Sequence, residues 1–268
     1  MTAPTDIFRA GIFADRHAFI AGGTSGLNLG IARRFAALGA QVSLAGRDAE
    51  KAEAAARSIG DGRMALGISC DVRRFERVEA AFAQAAGQFG GIDIVVSGAA
   101  GNFVAPASAM SANGFRTVVD IDLNGTFNVF RACLPHLRKS PSLLAISAGQ
   151  AVHPTPFQAH VCAAKAGINQ LVRVLAQEWG PDGIRVNGLS PGPVAGTEGM
   201  ARLAPTAAAQ DAVKRRVPLG RYASIGEIAD AAVYLCSDAA AYVTGTILEI
   251  DGGPLLSGSL RDPAHGLA

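Results

Sequence analysis

The run Ala18-Phe19-Ile20-Ala21 passes directly into Gly22-Gly23-Thr24-Ser25-Gly26, and a helical pattern marked by Ile31, Phe35 and Leu38 follows until Gly39. A short, wholly apolar strand of this kind is buried on both faces. Glycines at its exit permit a sharp turn and a close backbone approach to whatever sits above the next helix. The unit repeats along the chain. Further apolar runs occupy 41–45, 64–70, 92–97, 143–147, 185–189 and 247–250. Helical patterns fall between them at 49–59, 78–89, 115–137, 157–179, 198–216 and 227–235. Seven strands alternating with helices predict an α/β chain: a doubly wound, Rossmann-type parallel sheet with helices on both faces. A single domain is expected over 1–268, with a loosely held lead-in at 1–16 and a tail at 255–268. The ligand crevice is expected at the carboxyl ends of the strands, where all the glycine-rich junctions fall.

Composition narrows the classes of partner. The formal net charge of +2, with 17% charged residues, provides no basic stripe for nucleic acid, and Lys214-Arg215-Arg216 is explained by a solvated helix face. The uncharged stretch from Ile94 to Phe115 is long, but Gly98, Gly101, Asn102, Pro106 and Asn113 make it poor material for a membrane span. It reads as a buried strand followed by a site loop. Cys70, Cys133, Cys162 and Cys236 are too scattered for a zinc site, so no metal is expected. A reducing cytoplasm suits four such thiols, and the start of the chain does not read as a secretory leader.

The first glycine loop has the ingredients of a dinucleotide site, because a helix N-terminus offers free N–H groups and partial positive charge to a pyrophosphate. Gly22, Thr24, Ser25, Gly26 and Leu27 are the candidate contacts. NAD-binding folds place a carboxylate at the end of the second strand, about 20 residues on. Here that strand ends Ala45-Gly46-Arg47, and the first carboxylate is Asp48. Arg47 is either the partner of a 2′-phosphate, favouring NADP(H), or a solvated surface arginine.

Together with Asp71-Val72, Ala99-Ala100-Gly101, Asn124-Gly125-Thr126, Lys165, Arg185-Val186-Asn187, Pro191-Gly192-Pro193 and Asp251-Gly252-Gly253, the loop makes the chain resemble the short-chain dehydrogenase/reductase family over nearly its whole length. The resemblance implies an NADP(H)-dependent oxidoreductase, commonly tetrameric. It places Asp71, Val72, Ala99 and Gly101 along the cofactor, Lys165 on the nicotinamide ribose, and Pro191, Gly192, Val194 and Thr197 at the carboxamide. The family's usual tyrosine, four residues before the lysine, is Val161 here, and its usual serine position is Ala148. A valine cannot pass a proton to a carbonyl oxygen.

One branch does without that tyrosine. Ala99-Ala100-Gly101-Asn102-Phe103, Asp120-Ile121-Asp122 and His160-x-x-x-x-Lys165 resemble the 2,4-dienoyl-CoA reductases, in particular the peroxisomal type. The mitochondrial type keeps a displaced tyrosine where Gln150 stands. This resemblance implies an acyl-CoA substrate. Asp122 and Lys165 are the expected catalytic pair (Asp120 being the alternative carboxylate), and Asn124 an amide donor for the substrate oxygen. Asn102, Phe103, Gln150 and His160 are substrate-side candidates, His160 either a proton relay or structural. Asn28, where many relatives have glycine, is expected to tolerate unusual backbone angles. Two other readings stay open: a reductase of another activated alkene or carbonyl, and a non-catalytic NADPH-binding scaffold.

Overall fold

β1 (His17–Ala21) is buried at every residue, and its alternation assigns the two faces of the molecule: Ala18 and Ile20 point into one apolar cluster, Phe19 and Ala21 into the other. This computed structural model describes residues 7–256; the first six residues of the lead-in and 257–268 of the tail lie outside the described residues. β1 pairs in parallel with β2 (Gln41–Gly46) on one side and β4 (Ile92–Ser97) on the other. β3 (Ala65–Ser69), β5 (Leu137–Ile146), β6 (Arg185–Pro191) and β7 (Ile247–Ile250) complete a seven-stranded parallel sheet. Its order is β3-β2-β1-β4-β5-β6-β7. The direction of winding reverses between β1 and β4, which opens a crevice between their carboxyl ends.

Helices cover both faces. α1 (Gly26–Ala37) and α9 (Ile225–Cys236) supply Ile31, Phe35, Ile228 and Val233 to the first cluster. α3 (Phe75–Phe89), α5 (Gly125–Cys133) and α6 (Ala159–Trp179) supply Phe82, Phe130 and Val172 to the second. α2 (Ala49–Arg57) is capped by Asp48, whose side chain accepts from the Lys51 N–H. α4 (Ala112–Val119) precedes α5, and α7 (Glu198–Leu203) and α8 (Ala207–Arg216) precede α9.

Three expectations are corrected. The helix expected over 115–137 is broken into α4, a π-helical turn at Asp120–Asn124, α5 and a 3-10 turn at Leu134–His136 containing Pro135. The π-helical irregularity is a rare one confined to a single turn, and a pattern read over a whole helix does not resolve it. The excursion at 198–216 is two helices because Pro205 intervenes and Thr206 caps the second, accepting from the Ala209 N–H. The lead-in is anchored well before residue 16. Phe13 is fully buried, packs edge-on to Phe35 at 5.1 Å, and donates its N–H to the Leu38 carbonyl at 3.0 Å.

Among the described residues no helix is long and apolar enough to cross a membrane, and the Ile94–Phe115 stretch is divided between β4, a loop and the start of α4. The four cysteines are free thiols; burial pushes Cys70 up to about 11 and Cys236 up to about 12, which leaves them unreactive. Phe13→Ala should lower the unfolding free energy by about 3–5 kcal/mol in urea denaturation, the usual cost of emptying a buried phenylalanine site; a change below about 1 kcal/mol would show the lead-in to be dispensable.

Candidate active site

The loop from β1 to α1 is held against β4 with little room to spare. Gly22 has φ +75°, and a Cβ there would lie 2.7 Å from the Ala99 nitrogen. Its N–H donates to the Ala45 carbonyl at 2.8 Å. Thr24 rests on Gly46, where a side chain would collide with the Thr24 methyl at 2.5 Å. Gly26 (φ +56°) opens α1, and a Cβ there would meet nothing within 4 Å, so the space above the helix end is free. Ser25 is the N-cap residue of α1 yet caps nothing with its side chain, and the first turn carries no acidic residue. By contrast α2, α4, α8 and α9 are each closed by a side-chain oxygen. The N–H groups and the positive dipole end of α1 are thus left to an anion. Leu27, in the first turn, is half-buried behind the loop.

Asn28 makes no use of its tolerance for unusual backbone angles; it is an ordinary α1 residue whose side chain acts as a staple. Its amide donates to the Gly98 carbonyl at 2.8 Å and to the Gly22 carbonyl at 3.3 Å, tying the β1 and β4 exits together. A glycine at this position could not make that tie.

A cleft of about 480 Å³ runs from this loop along the strand ends. Gly22, Thr24, Ser25, Arg47, Asp71 and Val72 line it, as do Ala99, Gly101 and Asn102 farther along. Arg47 is exposed at the end of β2, and Lys51, which the sequence reading passed over, reaches the same wall from α2. Asp48 is occupied as the α2 cap, so the β2 exit presents two cations and no free carboxylate to the cleft. Arg73 grips Asp71 through contacts of 2.5–3.1 Å, and this hydrogen bonding holds the Asp71 carboxyl below the usual aspartate range. Val72 is buried against Gly125, where a Cβ would approach its methyl at 2.7 Å.

Beyond Gly101 lies the charged centre. The Gly101 N–H donates to Asp122 Oδ1 at 2.7 Å, while Lys165 Nζ stands 3.1 Å from Asp122 Oδ2 and donates to the Ile146 carbonyl at 3.0 Å. Asp122 is fully buried and the Lys165 side chain is only 8% exposed. The π-helical turn delivers Asp122 inward, whereas Asp120 accepts from the Asn124 amide at 2.8 Å on the outer side. Of the two carboxylates, Asp122 is the one that meets Lys165. Asn124 is corrected: it is exposed, bonded to Asp120 and grouped with Arg73 and Arg74, turned away from the charged centre. Val161 is buried one helical turn before Lys165, and Ser147, beside Ala148, is buried and donates to Asn169 at 2.5 Å. Among the described residues no hydroxyl is bonded to the Asp122 carboxylate or the Lys165 ammonium.

The substrate-side candidates do come together. Gln150 donates to Gln158 at 3.1 Å, and Gln158 donates to Asn102 at 3.2 Å. Phe103 packs on His160 with ring centroids 4.1 Å apart. Gln158, buried at the head of α6, was not singled out from the sequence, because an isolated glutamine before a helix has no signature. Pro191, Gly192, Val194 and Thr197 lie at the β6 exit, outside the 480 Å³ cleft. Gly192 closes on Asp251, where a Cβ would come within 2.5 Å of its Cα. Val194 is buried, and the Thr197 hydroxyl donates to the Val194 carbonyl at 3.0 Å.

This arrangement pairs an uncapped helix N-terminus with a buried carboxylate–ammonium couple. Known proteins resemble the chain over most of its length. The family model for enoyl-(acyl carrier protein) reductases matches residues 21–254. A peroxisomal 2,4-dienoyl-CoA reductase of Saccharomyces cerevisiae, (3E)-enoyl-CoA-producing, is 44% identical over 92% of this chain and 86% of its own length. The corresponding protein of Pongo abelii is 41% identical over 94% of this chain and 87% of its own. Among solved structures, a gluconate 5-dehydrogenase from Burkholderia cenocepacia in complex with NADP and tartrate superposes with a TM-score of 0.87 at 31% identity, covering 91% of this chain and 97% of that one. With family model, relatives and folded neighbours in agreement, the chain belongs to the short-chain dehydrogenase/reductase family of oxidoreductases.

Proposed function

We propose that this protein reduces a 2,4-dienoyl-CoA thioester to a 3-enoyl-CoA with NADPH. The observation that carries this reading is the buried Asp122–Lys165 pair, to which, among the described residues, no hydroxyl is bonded. Reduction of a ketone to an alcohol needs an acid at the carbonyl oxygen itself. A conjugated dienoyl thioester does not. Hydride adds at its far end, the electron pair moves through both double bonds to the thioester oxygen, and the resulting dienolate takes its proton on the carbon next to the carbonyl. One double bond remains, in the position named in the (3E)-enoyl-CoA-producing relatives.

The nicotinamide supplies the hydride when the cofactor is bound. The open N-terminus of α1 with Gly22, Thr24, Ser25, Gly26 and Leu27 suits the pyrophosphate, and Arg47 with Lys51 suits a 2′-phosphate. Asp71, Val72, Ala99 and Gly101 flank the adenosine half, and Val194 with Thr197 meets the carboxamide. Lys165 holds the nicotinamide ribose and supplies positive charge close to the dienolate. Asp122, anchored by Gly101, orients Lys165 and the water that delivers the proton. The gluconate 5-dehydrogenase neighbour, held with NADP, supports the choice of cofactor.

In this reading the protein is a single-domain homotetramer, for which the outer edge of β7 and the exposed Tyr234 and Tyr242 rings leave surface. Free thiols fit the cytoplasm, while the two dienoyl-CoA reductase relatives are named as peroxisomal.

Incubation with NADPH and 2,4-hexadienoyl-CoA should consume the reduced cofactor. Lys165→Ala and Asp122→Ala should each lower that turnover by about a hundredfold or more, as expected for groups that handle charge and protons. Near-normal rates in both variants would remove them from the mechanism. Arg47→Ala should weaken NADPH binding by about 10- to 100-fold, since a charge-assisted phosphate contact is worth about 1.5–3 kcal/mol, and leave NADH nearly unchanged. Equal weakening of both cofactors would overturn the 2′-phosphate assignment.

A further inference from the structure

Among the described residues two histidines are fully buried, and they are treated very differently. His17 is satisfied at both ring nitrogens, Nδ1 facing the Gly90 carbonyl at 3.2 Å and Nε2 the Ser43 hydroxyl at 2.9 Å. It is a structural histidine. His160 is equally buried, yet among the described residues neither Nδ1 nor Nε2 has a hydrogen-bond partner. Any imidazole carries at least one N–H, and a buried donor left unmade bears the full cost of its desolvation. A native fold tolerates such a group where function requires it.

The surroundings locate that function. His160 lies in the first turn of α6, five residues before Lys165. One side of its ring is covered by Phe103 at 4.1 Å, and Phe103 follows Asn102, a wall residue of the dinucleotide cleft. Asp122 is close enough for its charge to act on the ring. The amides of Gln150, Gln158 and Asn102 bond to one another in a chain and not to His160. A ligand that enters past Asn102 and Phe103 would offer the ring its missing partner.

We propose, resting on the dienoyl-CoA reductase reading, that His160 is a further catalytic residue which donates a ring N–H hydrogen bond to the thioester oxygen of the substrate as the dienolate forms. Burial lowers the ring's pKa below the ordinary histidine value, with Asp122 pulling the other way. The imidazole is thus neutral and acts as a fixed dipole, while its own proton stays on nitrogen throughout. The proton that ends on carbon comes from water. His160 takes the place vacated by Asn124, and together with Lys165 it gives the oxygen the stabilisation that the family's hydroxyl acid provides elsewhere.

Three proteins decide the matter: wild type, His160→Phe, which fills the ring's space without a donor, and His160→Gln, which restores an N–H. With 2,4-hexadienoyl-CoA and NADPH, His160→Phe should lose about 100- to 1000-fold in kcat, the usual effect of removing one oxyanion donor. KM and the Kd for NADPH should stay close to wild type, and His160→Gln should recover about a tenfold part of the loss. If His160→Phe fails to fold, His160→Leu serves as the donor-less variant in the same comparison with His160→Gln. A donor-less variant whose kcat matches wild type, or a glutamine variant as slow as the donor-less one while both bind NADPH normally, would overturn the proposal. Failure of the wild type itself to turn over this substrate would instead remove the reductase reading, and this inference with it.

Discussion

The buried pair Asp122–Lys165 is the interaction on which the rest of the site depends. Two charges in a protein interior are held at net cost unless their remaining polar groups are satisfied. Here Asp122 Oδ1 accepts the Gly101 N–H and Lys165 donates to the Ile146 carbonyl, while Asp122 Oδ2 meets the ammonium as an ion pair and accepts no hydrogen bond among the described residues. Each of those backbone groups belongs to the exit of a different central strand, β4 or β5. The pair is therefore fixed by the sheet itself, and any ligand bound along the strand ends meets a positioned charge couple and not two mobile side chains.

The same logic explains the crowding at the first loop. Gly22 lies so close to Ala99 that the β1 and β4 exits behave as one surface, and Asn28 bonds both. Parallel strands hold these exits in register, with Ala21 beside Ser97, so the open α1 N-terminus and the charged centre share one rigid edge. A glycine at position 28 would leave the loop without that tie, whereas the asparagine adds two donor contacts. One of its costs is visible, because Asn28 Oδ1 is buried without a partner among the described residues.

Much of this was legible in the residues. The seven apolar runs appear as the seven strands, and both the 92–97 and 247–250 runs coincide with β4 and β7. In β5 the run at 143–147 nearly coincides with the part paired to β4 beyond the register shift; the earlier residues, including Ser140 at φ +59°, form an irregular approach. Asp122 and Lys165 were identifiable from motif resemblance. Their contact was not, because it depends on a π-helical turn that an apolar pattern does not encode. That turn also rotates Asn124 outward, which is why the amide expected at the substrate faces Asp120. Lys51 and Gln158 carried no signal, since each becomes informative only once a neighbouring strand end or loop lies beside it.

The central claim is that a buried carboxylate–ammonium pair, without a hydroxyl acid, suits hydride addition to a conjugated thioester and protonation on carbon. Reduction of 2,4-hexadienoyl-CoA with NADPH deuterated at the transferred position, followed by nuclear magnetic resonance of the product, tests it most directly. The account predicts deuterium at the far carbon of the diene and one remaining double bond between the third and fourth carbons of the acyl chain. Label on a carbinol carbon of a carbonyl substrate, with the dienoyl thioester returned unlabelled, would contradict it.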